Sequence, residues 1–512
     1  MALAKVNSCA LSGIDGYVIN VEADLVSGLP GIDIVGLADT AVKESKERIK
    51  SAIKNSGLNL PQKKIVINLA PANTKKSGIP LDLPICISIL AASGQISEQS
   101  TDGYIMLGEL ALDGSVRSVS GVLAVAIAAR EMGYNKLLVP KDNASEAAVV
   151  EGIEVYGADN LKDAIAHFRG EKLIEKTKFD KDVLFKDDIT EDADFADVKG
   201  QEGAKRALEV AAAGGHNCLM IGSPGSGKTM LAKRLATILP DMSFDEALEV
   251  TKIYSVAGEL NKGVSLITRR PFRSPHHTVS SAALTGGGSN PKPGEISLAH
   301  RGVLFLDEFP EFKKDAIEAM RQPIEDGRLT VSRVAGSCSF PSSVMLIASM
   351  NPCKCGYYGD PNHECTCKAG QLQQYLNRVS GPMLDRFDLH IEVPSIKYDE
   401  LSTKKKGESS ADIRKRVDKA RKIQLERYKE SGIYCNAQLT PALIEKYCAL
   451  TDEANTILKN AFESLGLSAR AHSRILKVAR TIADLAGSEN IETIHLAEAI
   501  QYRSLDKKFW SN

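Results

Sequence analysis

The chain has 512 residues, 43% hydrophobic and 25% charged, an ordinary globular composition spread over a length that one hydrophobic core rarely fills, so two or three domains are expected. A formal net charge of −1 gives no overall pull toward nucleic acid or an acidic membrane surface and leaves any such binding to local patches. Ten cysteines in so long a chain are not a disulfide scaffold, and apolar runs such as Val303–Leu306 stop far short of the roughly 20 residues that a spanning helix needs. Residues 1–14 lack a basic segment followed by a long apolar run and a small-residue cleavage site, so a soluble, cytoplasmic protein is expected.

Residues 1–170 alternate short β-rich runs (16–21, 65–69, 104–107 and 136–139) with helical stretches (83–92 and 121–131), which predicts an α/β domain. Residues 171–196 carry nine acidic and five basic side chains with little periodicity, the pattern of a solvated acidic linker. From Asp197 the chain reads as apolar strand (218–221), glycine-rich loop (222–227) and helix (228–238). The strands 303–306 and 344–349 follow, so residues 197–394 predict a parallel sheet covered by helices. After Pro394 the segments 411–428, 440–450, 452–465, 469–486 and 491–502 have helical spacing, and residues 395–512 are expected to form a helical lid. Within it, residues 401–430 hold eleven Lys or Arg against five Asp or Glu, a candidate basic patch.

Gly222-Ser223-Pro224-Gly225-Ser226-Gly227-Lys228-Thr229 fits G-x-x-x-x-G-K-[ST] between a strand and a helix, the context in which backbone N–H groups cradle phosphates. Lys228 supplies a point charge against the outer phosphates and Thr229 a hydroxyl for Mg²⁺. The strand 303–306 ends in Asp307 and Glu308. Asp307 is placed to hold the Mg²⁺ through water and Glu308 to orient the attacking water, so the pair implies ATP hydrolysis as well as binding. A third strand leads to Met350-Asn351-Pro352, where the Asn351 amide can sense the γ-phosphate or position water.

With these residues, the chain resembles the YifB/ComM family of magnesium-chelatase-like AAA+ ATPases over nearly its whole length. The resemblance extends through Asp197-Val198-Lys199-Gly200-Gln201, Arg270-Pro271-Phe272-Arg273-Ser274-Pro275-His276-His277 and Ser380-Gly381-Pro382-Met383-Leu384-Asp385-Arg386-Phe387-Asp388. It implies a P-loop AAA+ core in a self-assembled ring, a hexamer, with Arg386 reaching a neighbour's γ-phosphate and Arg378 as the alternative. Ser468-Ala469-Arg470 is similar to the family's second sensor, which implies Arg470 against the phosphates, with Arg474 as the alternative. Residues 272–294 and 328–339 look like its pore-facing insertions, the second presenting Arg328 and Arg333 to a substrate strand. The N-terminal segment resembles the proteolytic domain of Lon proteases at Leu107-Gly108-Glu109-Leu110 and Gly133-Tyr134-Asn135-Lys136-Leu137-Leu138-Val139-Pro140. Yet the register puts Pro80 at the serine position and Leu123 at the lysine position, and neither side chain can do nucleophilic or acid–base work.

Cys353, Cys355, Cys365 and Cys367 form C-x-C, nine residues, C-x-C directly after Asn351 and Pro352, a set suited to structural zinc with His363 as a possible replacement ligand. The alternative is four reduced, unligated thiols. Three substrates stay open. The likeness to ComM favours DNA, handled by translocation or branch migration; magnesium chelatase suggests remodelling of a protein partner; the Lon likeness suggests peptide hydrolysis, which the missing Ser and Lys disfavour.

Overall fold

The computed structural model describes residues 3–37, 40–72, 76, 80–180, 193–288, 291–333, 336–395, 407–465 and 467–510. Residues 181–192 of the expected linker and 401–406 of the basic stretch lie outside these.

The N-terminal part is built on a seven-stranded sheet of β1 (Leu3–Ser12), β2 (Asp15–Val26), β3 (Gly31–Val35), β4 (Lys64–Ala70), β5 (Tyr104–Met106), β6 (Lys136–Pro140) and β7 (Glu154–Ala158), in the order β3-β4-β2-β1-β5-β6-β7. The sheet is mixed. β1 and β2 form a long antiparallel hairpin and β2 pairs antiparallel with β4, while β5, β6 and β7 run parallel. β1 escapes a search for β-rich runs because its buried positions are Ala4, Val6, Ser8, Cys9 and Ala10, mostly small side chains and one of them a serine. Ser8 is tolerated there because its hydroxyl donates to the Met106 carbonyl at 2.8 Å. Helices Asp82–Ala92 and Val122–Glu131 cover the sheet as the spacing predicts, and Leu123 is fully buried in the second.

The second sheet is parallel throughout: β8 (Cys218–Ile221), β9 (Phe272–Arg273), β10 (Val303–Leu306), β13 (Met345–Met350) and β14 (Leu389–Glu392), in the order β9-β10-β13-β8-β14. Between β10 and β13 the hairpin β11 (Arg328–Arg333) and β12 (Gly336–Pro341) stands apart as its own two-stranded sheet. The central strands are buried along their whole length, as strands covered on both faces must be.

The five helical segments after Pro394 appear as Ser410–Arg427, Pro441–Tyr447, Asp452–Leu465, Ala469–Ala486 and Thr493–Gln501. They share one continuous core with the sheet. Ile413, Val417, Ile475 and Val478 pack in the same cluster as Leu231, Leu235, Val303 and Phe305. Phe195, at the end of the expected linker, is fully buried in that cluster, so ordered structure of the second unit begins by Asp194. The N-terminal unit meets helix Phe244–Ala257 through the Gly121 N–H to Ser255 carbonyl bond (2.9 Å) and the segment after that helix through the Lys262–Asp142 pair (2.8 Å). Among the described residues no helix is long and apolar enough to cross a membrane.

Candidate functional site

β8, β10 and β13 run parallel, so their C-terminal ends deliver the glycine loop, Asp307-Glu308 and Asn351 to one edge. Gly222 makes the approach possible, because a Cβ there would collide with the Val393 carbonyl. Gly227 holds φ +91°, and helix Lys228–Ile238 starts at the next residue with its N-terminus facing the loop. Lys228 Nζ donates to the carbonyls of Gly222 (2.7 Å) and Ser223 (2.9 Å) and to Asn351 Oδ1 (3.2 Å). Burial pushes its ammonium down to about 8, against the opposing pull of Asp307 and Glu308.

Thr229 Oγ1 donates to Asp307 Oδ2 at 2.6 Å, which brings a hydroxyl and a carboxylate oxygen together as a hard-cation site requires. Asp307 is held by the Ser349 hydroxyl and by the Glu308 N–H (3.1 Å). Glu308 itself sits at φ +52°, a left-handed conformation that costs a non-glycine residue about 1–2 kcal/mol. Strain of that kind gathers at working sites, and here it turns a carboxylate outward to stand 3.4 Å from His277 Nδ1. Two buried atoms beside the loop, Ser226 Oγ and Gln201 Oε1, have no hydrogen-bond partner among the described residues. Orphaned polar atoms in and beside a loop of this pattern fit a bound nucleotide and its water.

Sequence reasoning did not find Ser349, His277 or Gln201. A serine at the end of the otherwise apolar run Met345–Met350 was a usable signal for the first. The other two lie in segments that carry the family resemblance, but which groups they meet at the site depends on chain crossings.

The candidate arginines lie elsewhere. Asn217, just before β8, donates from Nδ2 to the Arg386 carbonyl (2.9 Å) and from its amide to Asp388 Oδ2 (3.0 Å). Arg386 therefore sits at the N-terminal edge of the sheet. The five-residue step from Asn217 to Gly222 separates it from the phosphate loop by roughly 16 Å along the strand. Arg474 approaches Asp388 (3.5 Å) and Arg470 approaches Asp385 (3.8 Å), so both lid arginines gather with Arg386 at this edge and not at their own chain's loop. Arg386 is buried and paired with Glu325. Together with Arg270, Arg301 and Lys477, Arg386 and Arg474 line a cavity of about 550 Å³. Arg378, the alternative to Arg386, is bound to Glu311 at 2.6 Å.

The four cysteine thiols converge, with all four sulfurs within 4.8 Å of one another, an arrangement able to hold a metal ion. His363 does not join them; it stacks on Tyr357 and faces Asp360. In the hairpin, Leu329, Val331 and Phe340 point into the core while Arg328 is exposed; the Arg333 side chain lies outside the described residues. The basic stretch is less basic than its count implies. Arg414 pairs with Asp241, Arg416 with Glu209 and Glu408, and Arg427 with Asp484, while Lys415, which pairs with Asp412, Lys419 and Lys422 are exposed on that helix.

Three family models match the chain: magnesium chelatase, subunit ChlI, over residues 194–401; subunit ChlI of Mg-chelatase over 21–143; and the C-terminal part of magnesium chelatase subunit ChlI over 407–503. The YifB protein of Salmonella typhimurium is 45% identical over 510 residues, 99% of this chain and 98% of that protein. The competence protein ComM of Haemophilus influenzae is 44% identical over 508 residues, again 99% and 98%. A Lon protease of Leptospira interrogans is 25% identical over 175 residues, 33% of this chain and 21% of that protein.

Proposed function

The chain belongs to the YifB/ComM family of magnesium-chelatase-like AAA+ ATPases, and from that premise we propose that it is a Mg²⁺-dependent ATP-hydrolysing ring motor acting on DNA, as a translocase or branch-migration helicase. The observation that carries the chemistry is the meeting of Lys228, Thr229, Asp307, Glu308 and Asn351 at one sheet edge. Thr229 and Asp307 would hold Mg²⁺, which neutralises charge on the outer phosphates. The amides of residues 222–229 and Lys228 bind the phosphate oxygens. Glu308 orients and polarises the attacking water, and Asn351 fixes both Lys228 and the terminal phosphate. Arg386, on the far edge, cannot serve its own chain's nucleotide and acts on a neighbour's, which is what requires a ring. Arg470 and Arg474 share that edge and would approach the same neighbouring phosphates.

The Lys228 geometry predicts a pH effect. Below about pH 8 the ammonium is already charged and nucleotide binding takes up no proton; above it, the phosphates must recruit one. Affinity should therefore be flat up to about pH 8 and then fall by as much as tenfold per unit. Calorimetry in two buffers of different ionisation enthalpy reads the proton uptake. Affinity that stays flat to about pH 9.5 would remove Lys228 from phosphate contact.

For DNA the support is narrower: a relative named as a competence protein, the exposed Arg328 on the β11–β12 hairpin, and the exposed Lys419 and Lys422. Arg328→Ala with Arg333→Ala should reduce DNA-stimulated turnover more than basal turnover. Lys419→Ala with Lys422→Ala should lower the slope of log affinity against log salt by roughly 1 to 2. ATP turnover and binding measured on forked and four-way DNA across a salt series test this. Protein that is hexameric and binds ATP but neither binds DNA nor responds to it at low salt would transfer the assignment to a protein partner.

A further inference from the structure

Cys353 follows Asn351 by two residues, so the cysteine loop begins where the Lys228-binding amide ends. The same loop returns to the phosphate loop from outside. Asp360, its side chain 2% exposed, accepts a 2.6 Å hydrogen bond from Ser223 Oγ. Gly356, at φ +91°, lies so close to Pro224 that a Cβ would stand 2.6 Å from the ring. One short loop thus touches both walls of the nucleotide site, and its four cysteines are what could hold it in shape.

The sulfur geometry indicates the occupant. Cys353 Sγ lies 3.3 Å from Cys355 Sγ and 3.7 Å from Cys365 Sγ, and Cys355 and Cys365 are 3.6 Å apart. Four sulfurs about 2.3 Å from one tetrahedral ion would be about 3.8 Å from each other. Disulfide sulfurs would be about 2 Å apart. The Tyr358 N–H donates to Cys353 Sγ at 3.3 Å, a second-shell bond of the kind that steadies a thiolate ligand. Magnesium and calcium prefer oxygen donors, whereas four thiolates suit zinc.

We infer that Cys353, Cys355, Cys365 and Cys367 hold one zinc ion, and that this zinc loop acts as a staple that sets Ser223 and Asn351 against each other across the nucleotide site. The inference rests on the nucleotide reading above. With the staple closed, the loop carbonyls and the Asn351 amide stand pre-positioned around Lys228, and binding does not have to order them; with it open, Asn351 and the phosphate loop lose their shared support.

The test uses the full-length chain purified under reducing conditions. Metal analysis should find about one zinc per chain; less than about half, or iron in its place, overturns the inference. Cys355→Ser with Cys365→Ser should lose the zinc and weaken binding of a fluorescent ATP analogue by at least about tenfold. Asp360→Ala keeps all four thiols and guards against a misfolded cysteine variant. It should retain zinc yet bind the analogue about three- to tenfold more weakly, the value of one lost hydrogen bond. Unchanged affinity in Asp360→Ala, or in a folded zinc-free variant, overturns the staple. A zinc-loaded wild type that binds no nucleotide would instead overturn the assignment of the site itself.

Discussion

Arg386→Ala should lower ATP turnover by about 10³- to 10⁵-fold while leaving nucleotide affinity close to wild type, the signature of a guanidinium that acts in the transition state of an adjacent subunit. The expectation follows from where the residue lies. A residue whose backbone carbonyl is anchored to Asn217 at one end of β8 cannot reach phosphates bound at the other end of the same strand. Its loss should therefore leave the chain's own binding site intact. Mixed rings give the decisive measurement. Arg386→Ala subunits combined with Lys228→Ala subunits form some interfaces that pair an intact loop with an intact arginine, and part of the activity should return. Demonstrably mixed rings with no recovery would exclude a role in trans. Arg386 is also engaged with Glu325, so in an assembled ring the arginine must share or leave that carboxylate to reach a phosphate.

Glu308→Gln should slow hydrolysis by about 10²- to 10⁴-fold with ATP still bound, because the amide keeps the shape beside the terminal phosphate but cannot polarise water. Lys228→Ala should do the reverse, weakening binding first, since three acceptors and the phosphates lose their shared cation. Comparing affinity and single-turnover rate for both variants separates the two roles. Normal turnover in Glu308→Gln would assign the water to another group, and His277, 3.4 Å from that carboxylate, would be the next residue to change.

What the sequence determined by itself is whatever is encoded locally. The phosphate loop between a strand and a helix, the apolar run closed by Asp307-Glu308, and the C-x-C pairs are short contiguous patterns, and each emerges in the structure as a contiguous unit. Helices 452–465 and 469–486 are read to their ends for the same reason, because helical spacing and capping residues such as Ser468 are local. The tertiary structure decided everything that depends on which end of a strand a residue meets, or on a partner hundreds of positions away. β1 was hidden by its small buried side chains. The basic count of residues 401–430 concealed ion pairs to Glu209, Asp241 and Asp484 that no local window contains. Arg470 resembles a residue that faces phosphates, yet helix Ala469–Ala486 packs behind the sheet and carries it to the edge with Arg386. Sequence supplies residue chemistry at a position along the chain; the parallel pairing of β8 with β13 and β14 assigns that chemistry to one sheet edge or the other, and the two edges serve different subunits' nucleotides in the proposed ring.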